Sequence, residues 1–184
     1  IADTPDLDLS TGMTLEAWVY PTTTDSWQTV IFKTLDGNNL AYALYAFSDG
    51  NNRPRGFINN GSQFDVGGGA RLVTNTWTHL ATTYDGSTLR LYINGQQVAQ
   101  RTLNSSMLAS TTPLELGGNT SYGNEWFHGR LDDVRVYNRA LSPSEIITDR
   151  DTPVGNNVSN STPTSTPVPP TSTPVPLTNT PTST

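Results

Sequence analysis

The sequence predicts an all-β, antiparallel protein, with one short helix near the end of the folded part and an extended tail behind it. Three observations carry this. Residues 1–150 break into short alternating runs separated by Gly, Asn, Asp and Pro. Asp85-Gly86 and Asn94-Gly95 lie between such runs, where tight hairpin turns need residues that accept positive φ. From about Asp151 the composition turns to uncharged Thr, Ser and Pro.

Each element follows from its residues. In Thr14–Tyr20, Leu15, Ala17 and Val19 share one parity, the mark of a strand with one face on a core. Trp27–Lys33 and Ala41–Phe47 are more continuously apolar, which suits strands covered on both faces in mid-sheet. Trp77–Tyr84 is followed by Leu89–Ile93, where Leu89, Leu91 and Ile93 point one way and Arg90 and Tyr92 the other. The two turn dipeptides link three successive strands in this region. A further strand is expected in Gly129–Tyr137. The helix signal is Leu141-Ser142-Pro143-Ser144-Glu145-Ile146, with Ser142 as N-cap, Pro143 at the first helical position, Glu145 closing a capping box and Leu141 with Ile146 as a staple. About two turns fit before Thr152-Pro153.

The expected division is a domain at 1–150 and a Thr/Ser/Pro-rich linker or stalk at 151–184. In the latter, Thr164-Ser165-Thr166-Pro167-Val168-Pro169 recurs as Thr171-Ser172-Thr173-Pro174-Val175-Pro176. So much proline excludes helix and central strand, and the hydroxyls are available for O-glycosylation. The formal charge of -6, without a basic cluster, argues against nucleic acid. With no Cys there is neither a disulfide framework nor a thiolate site. No apolar run approaches the roughly 18 residues of a membrane span, and the chain reads as a piece of a longer, exported precursor.

Leu15-Glu16-Ala17-Trp18-Val19, the stretch Trp77–Gly86, Leu91-Tyr92-Ile93-Asn94-Gly95, Leu116-Gly117-Gly118 and the stretch Gly129–Tyr137, in this order, resemble the laminin G-like, concanavalin A-like jelly-roll superfamily. Bacterial laminin G-like modules and their pentraxin relatives are the nearest in pattern. The resemblance covers residues 1–150 and implies a two-sheet antiparallel jelly-roll sandwich with a concave face that binds glycans or proteins. Relatives usually carry a further strand before the segment matching Ile1-Ala2-Asp3, so an open sheet edge is expected here, the missing strand either lying outside the given sequence or being supplied by a neighbouring chain.

Related glycoside hydrolases set their carboxylates in a Glu-x-Asp-x-x-Glu run on one strand, and no such run occurs here. Glu16, Asp65 and Glu115 stand singly and read as solvent-facing strand residues. His79 and His128 have no evident catalytic partner. A non-catalytic chain is therefore expected.

Structural calcium is the expected cofactor. Asp132 shares the parity of Val134 and Val136, which places its carboxylate at the rim of an apolar face where it needs a cation or donors. In relatives the matching position often has this calcium role, with ligands added from the N-terminal segment, here Asp3 and Asp6. The alternative is a hydrogen bond from Arg or backbone amides. The pentraxin resemblance implies a second, weaker site from Asp36, Asn38 and Asn39 with Asn119 and Glu125; the alternative is ordinary polar loops.

For sugar stacking, exposed aromatic side chains with Asn or acid neighbours are needed. Trp27, Tyr122 and Trp126, with Asn119 and Glu125, are the candidate ligand-binding residues, and Tyr42 and Tyr45 are available. Trp18 and Trp77 lie inside strand motifs and read as core. The first functional expectation is an extracellular or cell-surface recognition and adhesion module for glycan or protein ligands. A self-assembling filament subunit that uses tail and open edge, and an accessory domain of a secreted glycoside hydrolase, are the alternatives.

Overall fold

A computed structural model describes residues 1–37, 39–48, 52–123 and 125–155. The Thr/Pro-rich tail from residue 156 on, for which an extended form was expected, lies outside the described residues.

Among the described residues, the unit Ile1–Val154 has ten strands and one α-helix. The strands are β1 (Met13–Pro21), β2 (Gln28–Asp36), β3 (Asn39–Phe47), β4 (Arg55–Asn59), β5 (Gln63–Gly67), β6 (Thr78–Tyr84), β7 (Thr88–Ile93), β8 (Gln96–Thr102), β9 (Leu114–Leu116) and β10 (Gly129–Tyr137). The helix is α1 (Pro143–Asp151), and a single 3-10 turn at Pro5–Leu7 precedes β1. Sheet one has the order β10-β1-β6-β7-β8 and sheet two β5-β4-β3-β2-β9, with antiparallel pairing throughout. The result is a jelly-roll sandwich.

The parity of each strand sets what lies between the sheets. Met13, Leu15, Ala17 and Val19 of β1, Leu80 and Tyr84 of β6, and Leu89 and Leu91 of β7 meet Val30, Ile31, Tyr42, Leu44, Ala46 and Ile58 of sheet two in one buried cluster. The β6-β7-β8 meander is the one that the two turn signatures predict, with Gly86 at φ 86, Asn94 at φ 50 and Gly95 at φ 79. β3 sits at the centre of sheet two, and β2 beside it is paired on both edges, as their continuous apolar runs require.

α1 begins as expected: Ser142 Oγ accepts from Glu145 N, and the Glu145 carboxylate accepts from Ser142 N at 2.8 Å. Leu141 and Ile146 then pack with Ala81 and Tyr92 on the outer face of sheet one. β4, β5 and β9 have no clear signature in the sequence. Their strand form comes from pairing with β3 and β2. At the β9 edge, Ile1 and Leu114 exchange two hydrogen bonds, Ile1 N donating at 2.8 Å and Leu114 N at 3.0 Å.

Candidate functional site

The outer face of sheet two carries a cleft lined by aromatic rings. Phe32 of β2, Ala43 of β3 and Phe57 of β4 are cross-strand partners, and with Leu40 and Tyr45 they form a second apolar cluster outside the sandwich. Trp27, at the entry to β2, packs against it, its ring 5.1 Å from that of Tyr45 and 6.1 Å from that of Phe57. Tyr122 approaches edge-on at 5.7 Å from Phe32. These rings, with Leu40, Gln63 and Glu125, line a cleft of about 220 Å³. Edge-to-face packing of this kind fixes the rings, so the apolar floor exists before any ligand arrives.

A polar support holds the wall of the cleft. Tyr45 donates its hydroxyl to Glu125 Oε2 at 2.8 Å, and Asn119 Nδ2 donates to the same oxygen at 2.6 Å. Asn119 also donates to Thr29 Oγ1 at 3.0 Å and accepts from Tyr122 N at 2.8 Å. Burial and the Glu125 carboxylate push the Tyr45 phenol up, so it remains a donor. Burial, with Glu125, also raises the Tyr122 phenol. On the same face as Phe57, Arg55 and Asp65 pair at 2.7 Å.

Of the five ligand-binding candidates, Trp27, Tyr122 and Glu125 therefore meet in one cleft, and Asn119, fully buried, braces it. Trp126 lies apart, half exposed, beside Ile1, Leu114, Leu116 and Gly118, where a Cβ on Gly118 would meet its ring at 2.1 Å. Phe32 and Phe57 are members that sequence reasoning missed. Their parity on β2 and β4 carried the signal, but only knowledge of which face was outside could have used it.

The calcium ligands do not assemble. Asp3 forms an ion pair with the fully buried ammonium of Lys33, so an internal cation already occupies that carboxylate. The parity argument for Asp132 fails at a bulge. Glu16 pairs with Arg135 and Trp18 with Asp132, so one residue of β1 spans two of β10, and Asp133 takes φ 46. Asp132 is thereby turned to the outer face beside Trp18, where it is exposed and, among the described residues, accepts only from Asp133 N at 2.9 Å. Asp36 accepts from Asn39 at 3.0 Å, while Asn38 lies outside the described residues. Asp6 sits in the 3-10 turn. Among the described residues no three His, Asp or Glu side chains form a group that could hold a metal.

The outer face of sheet one corrects three further expectations. Glu16 is fully buried rather than solvent-facing, 3.8 Å from the equally buried His79 and 3.6 Å from Arg135. Burial, aided by the Asp149 carboxylate and opposed by Arg135, pushes the Glu16 carboxyl up to about 8. Burial, aided by Arg135 and Arg150, brings the His79 imidazole down to about 4. Trp18 and Trp77 are not core: Trp18 lies on this outer face and donates Nε1 to the Arg150 carbonyl at 3.1 Å, and Trp77 is 39% exposed. On sheet two, Asp65 and Glu115 remain partly exposed strand acids, the first paired with Arg55 and the second accepting from Thr120 N and Oγ1 at 2.6 Å.

Comparison with known proteins accords with the fold. Domain 4 of AbnA, an extracellular GH43 arabinanase of Geobacillus stearothermophilus solved with arabinotriose, has a TM-score of 0.65 at 26% identity, over 77% of this chain and 67% of that one. The heptameric SAP-like pentraxin of Limulus polyphemus shares the fold at a TM-score of 0.57 and 17% identity, over 76% and 69% of the two chains. Mouse Pappalysin-1 is 35% identical over 81 residues, which span 41% of this chain and only 5% of that protein. Among the described residues no helix is long and apolar enough to cross a membrane. The family described as the concanavalin A-like lectin/glucanases superfamily (Laminin G 3) matches residues 1–147, and the chain belongs to it.

Proposed function

We propose that this chain is a non-catalytic recognition module of a secreted or surface protein, and that it holds a glycan in the cleft on the outer face of sheet two. The observation that carries the reading is the preformed ring cluster of Trp27, Tyr45, Phe57 and Tyr122, with Glu125 and Gln63 at its margin. Rings offer a sugar its C–H faces a surface to stack on, and the carboxylate and amide take its hydroxyls. A cleft of about 220 Å³ suits one or two sugar units rather than a long chain. The likeness to an arabinanase domain solved with arabinotriose supports the same reading, and it favours an accessory role beside a glycoside hydrolase as the setting.

Arabinotriose, then a broad glycan array, is the direct test, with Trp27→Ala and Tyr122→Ala as variants. Binding that Trp27→Ala weakens at least about tenfold is expected, since one lost stacking partner is worth on the order of 1–2 kcal/mol. Silence of the folded native chain across the array, or binding untouched by both variants, would sink the reading.

A further inference from the structure

A separate cavity of about 300 Å³ opens on the opposite side of the sandwich, lined by Trp18, Trp77, Asp132 and Asp133. Four features of this cavity point one way. Its walls include two indoles, one held in place by its Nε1 bond to Arg150 O and by an edge contact with the His79 ring at 5.6 Å. Its carboxylates lack a cation. Asp65, Asp85, Glu145 and Asp151 each pair with an arginine, whereas among the described residues neither Asp132 nor Asp133 makes any ion pair. The only bonds they accept come from backbone N–H groups, of Asp133 at 2.9 Å and of Val154 at 2.7 Å. Finally, the last turn of the nine-residue α1 ends here, where Arg135 donates to the Asp149 and Thr152 carbonyls and so caps the helix end, leaving the two carboxylates as the charge that the cavity itself presents.

Aromatic faces attract cations through the ring quadrupole, and the attraction grows as water is excluded. The same face already shows the preference within the chain. Arg130 lies 5.5 Å from the centre of the Tyr20 ring, and Tyr20 in turn packs at 5.4 Å on Trp77. A calcium ion would want six or more oxygens and no indole, which this cavity does not offer. An extended anion or a nucleic acid would meet two carboxylates. We infer that the Trp18–Trp77–Asp132–Asp133 cavity is a second binding site, for an alkylammonium group such as the side chain of a lysine on a partner polypeptide. The carboxylates select the charge, and the indoles take the ammonium and its methylene stem.

The test is a nuclear magnetic resonance titration of the whole chain, read on the indole N–H signals of its four tryptophans. The probes are Nα-acetyl-lysine methylamide, its neutral isostere Nα-acetyl-norleucine methylamide, putrescine and calcium chloride. The lysine amide should shift the signals of Trp18 and Trp77 and leave those of Trp27 and Trp126 in place, which also separates this site from the glycan cleft. Asp132→Asn, which retains the acceptor for Asp133 N, should weaken binding about tenfold, and the exposed Trp77→Ala should do so comparably. Tighter binding of the lysine amide than of putrescine assigns the source to a polypeptide, and the reverse assigns it to a free amine. The proposal is overturned if no indole responds to the amines, if the neutral isostere shifts Trp18 and Trp77 equally, if both variants bind as the native chain does, or if calcium alone produces the shifts.

Discussion

The two outer faces of the sandwich are built from the same kind of alternating strand, yet they bury opposite chemistry. On sheet two the outward residues Phe32, Leu40, Ala43, Tyr45 and Phe57 are apolar, no element covers them fully, and the result is an open cleft. On sheet one the outward residues include the buried Glu16 and His79, and α1 packs on this face, its Ile146 with Leu141 against Ala81 and Tyr92 and its Asp149 beside Glu16. An apolar face left open is held ready for a partner. A titratable pair shut under a helix is part of the fold, and its cost is offset by the packing above it. What covers a patch therefore separates the open ring cleft from the shut Glu16–His79 pair more clearly than residue type does, since acids and aromatics occur on both sides.

The sharpest way to break that contrast is to uncover the shut face. Ile146→Ala removes a fully buried side chain between α1 and sheet one and should cost about 2–5 kcal/mol, seen as a lower denaturation midpoint. The same truncation at Trp27, partly buried on the open face, should cost less stability while weakening ligand capture at least about tenfold. Equal losses at the two positions would remove the distinction.

A smaller effect should come from pH. The Glu16 carboxyl sits at about 8 in the folded chain against an ordinary value of 4.5, so the native state holds a proton that the unfolded state gives up, and stability is lost as pH rises from 4.5 through 8. The His79 imidazole sits at about 4 against 6.5, so its contribution is complete above 6.5 and is lost as pH falls to 4. The two oppose each other from 4.5 to 6.5. Between 6.5 and 8 Glu16 acts alone, and a loss on the order of 1–2 kcal/mol is expected there. Glu16→Gln should flatten that limb, as followed by urea midpoints; an unchanged slope would place the proton elsewhere.

Smaller again is the bracing of the open face. Asn119→Ala removes donors to Glu125 and Thr29 from a fully buried position, for about 1–3 kcal/mol of stability and a looser cleft. Ser142→Ala, at the N-cap of α1, should cost about 1 kcal/mol by thermal unfolding. If it costs nothing, the capping box contributes less to covering sheet one than its geometry implies.

Much of the architecture was legible because local rules speak directly to it. Parity in β1 and β7 sorted core from outside, two turn dipeptides joined β6, β7 and β8, and a capping box marked the first residue of α1. The site was legible only in pieces. Trp27, Tyr122 and Glu125 stood out as candidates and Tyr45 as an available ring, but Phe32 and Phe57 carried no signal of their own. Their outward direction depends on which face of sheet two has another sheet behind it, and that is set by strands distant in the chain.

The sequence by itself determined the all-β class, the strand parities, the hairpin meander and the capped helix, because each depends on residues within a few positions of one another. Only the tertiary structure decided which faces became cleft and which became scaffold. A single bulge opposite Ala17 turned Asp132 from the expected rim to the outer face beside Trp18, and α1, arriving from the far end of the domain, shut Glu16 and His79 away from water. Period-two reasoning carries only as far as the ladder is regular, and burial is fixed by what packs on a face, not by the strand that forms it.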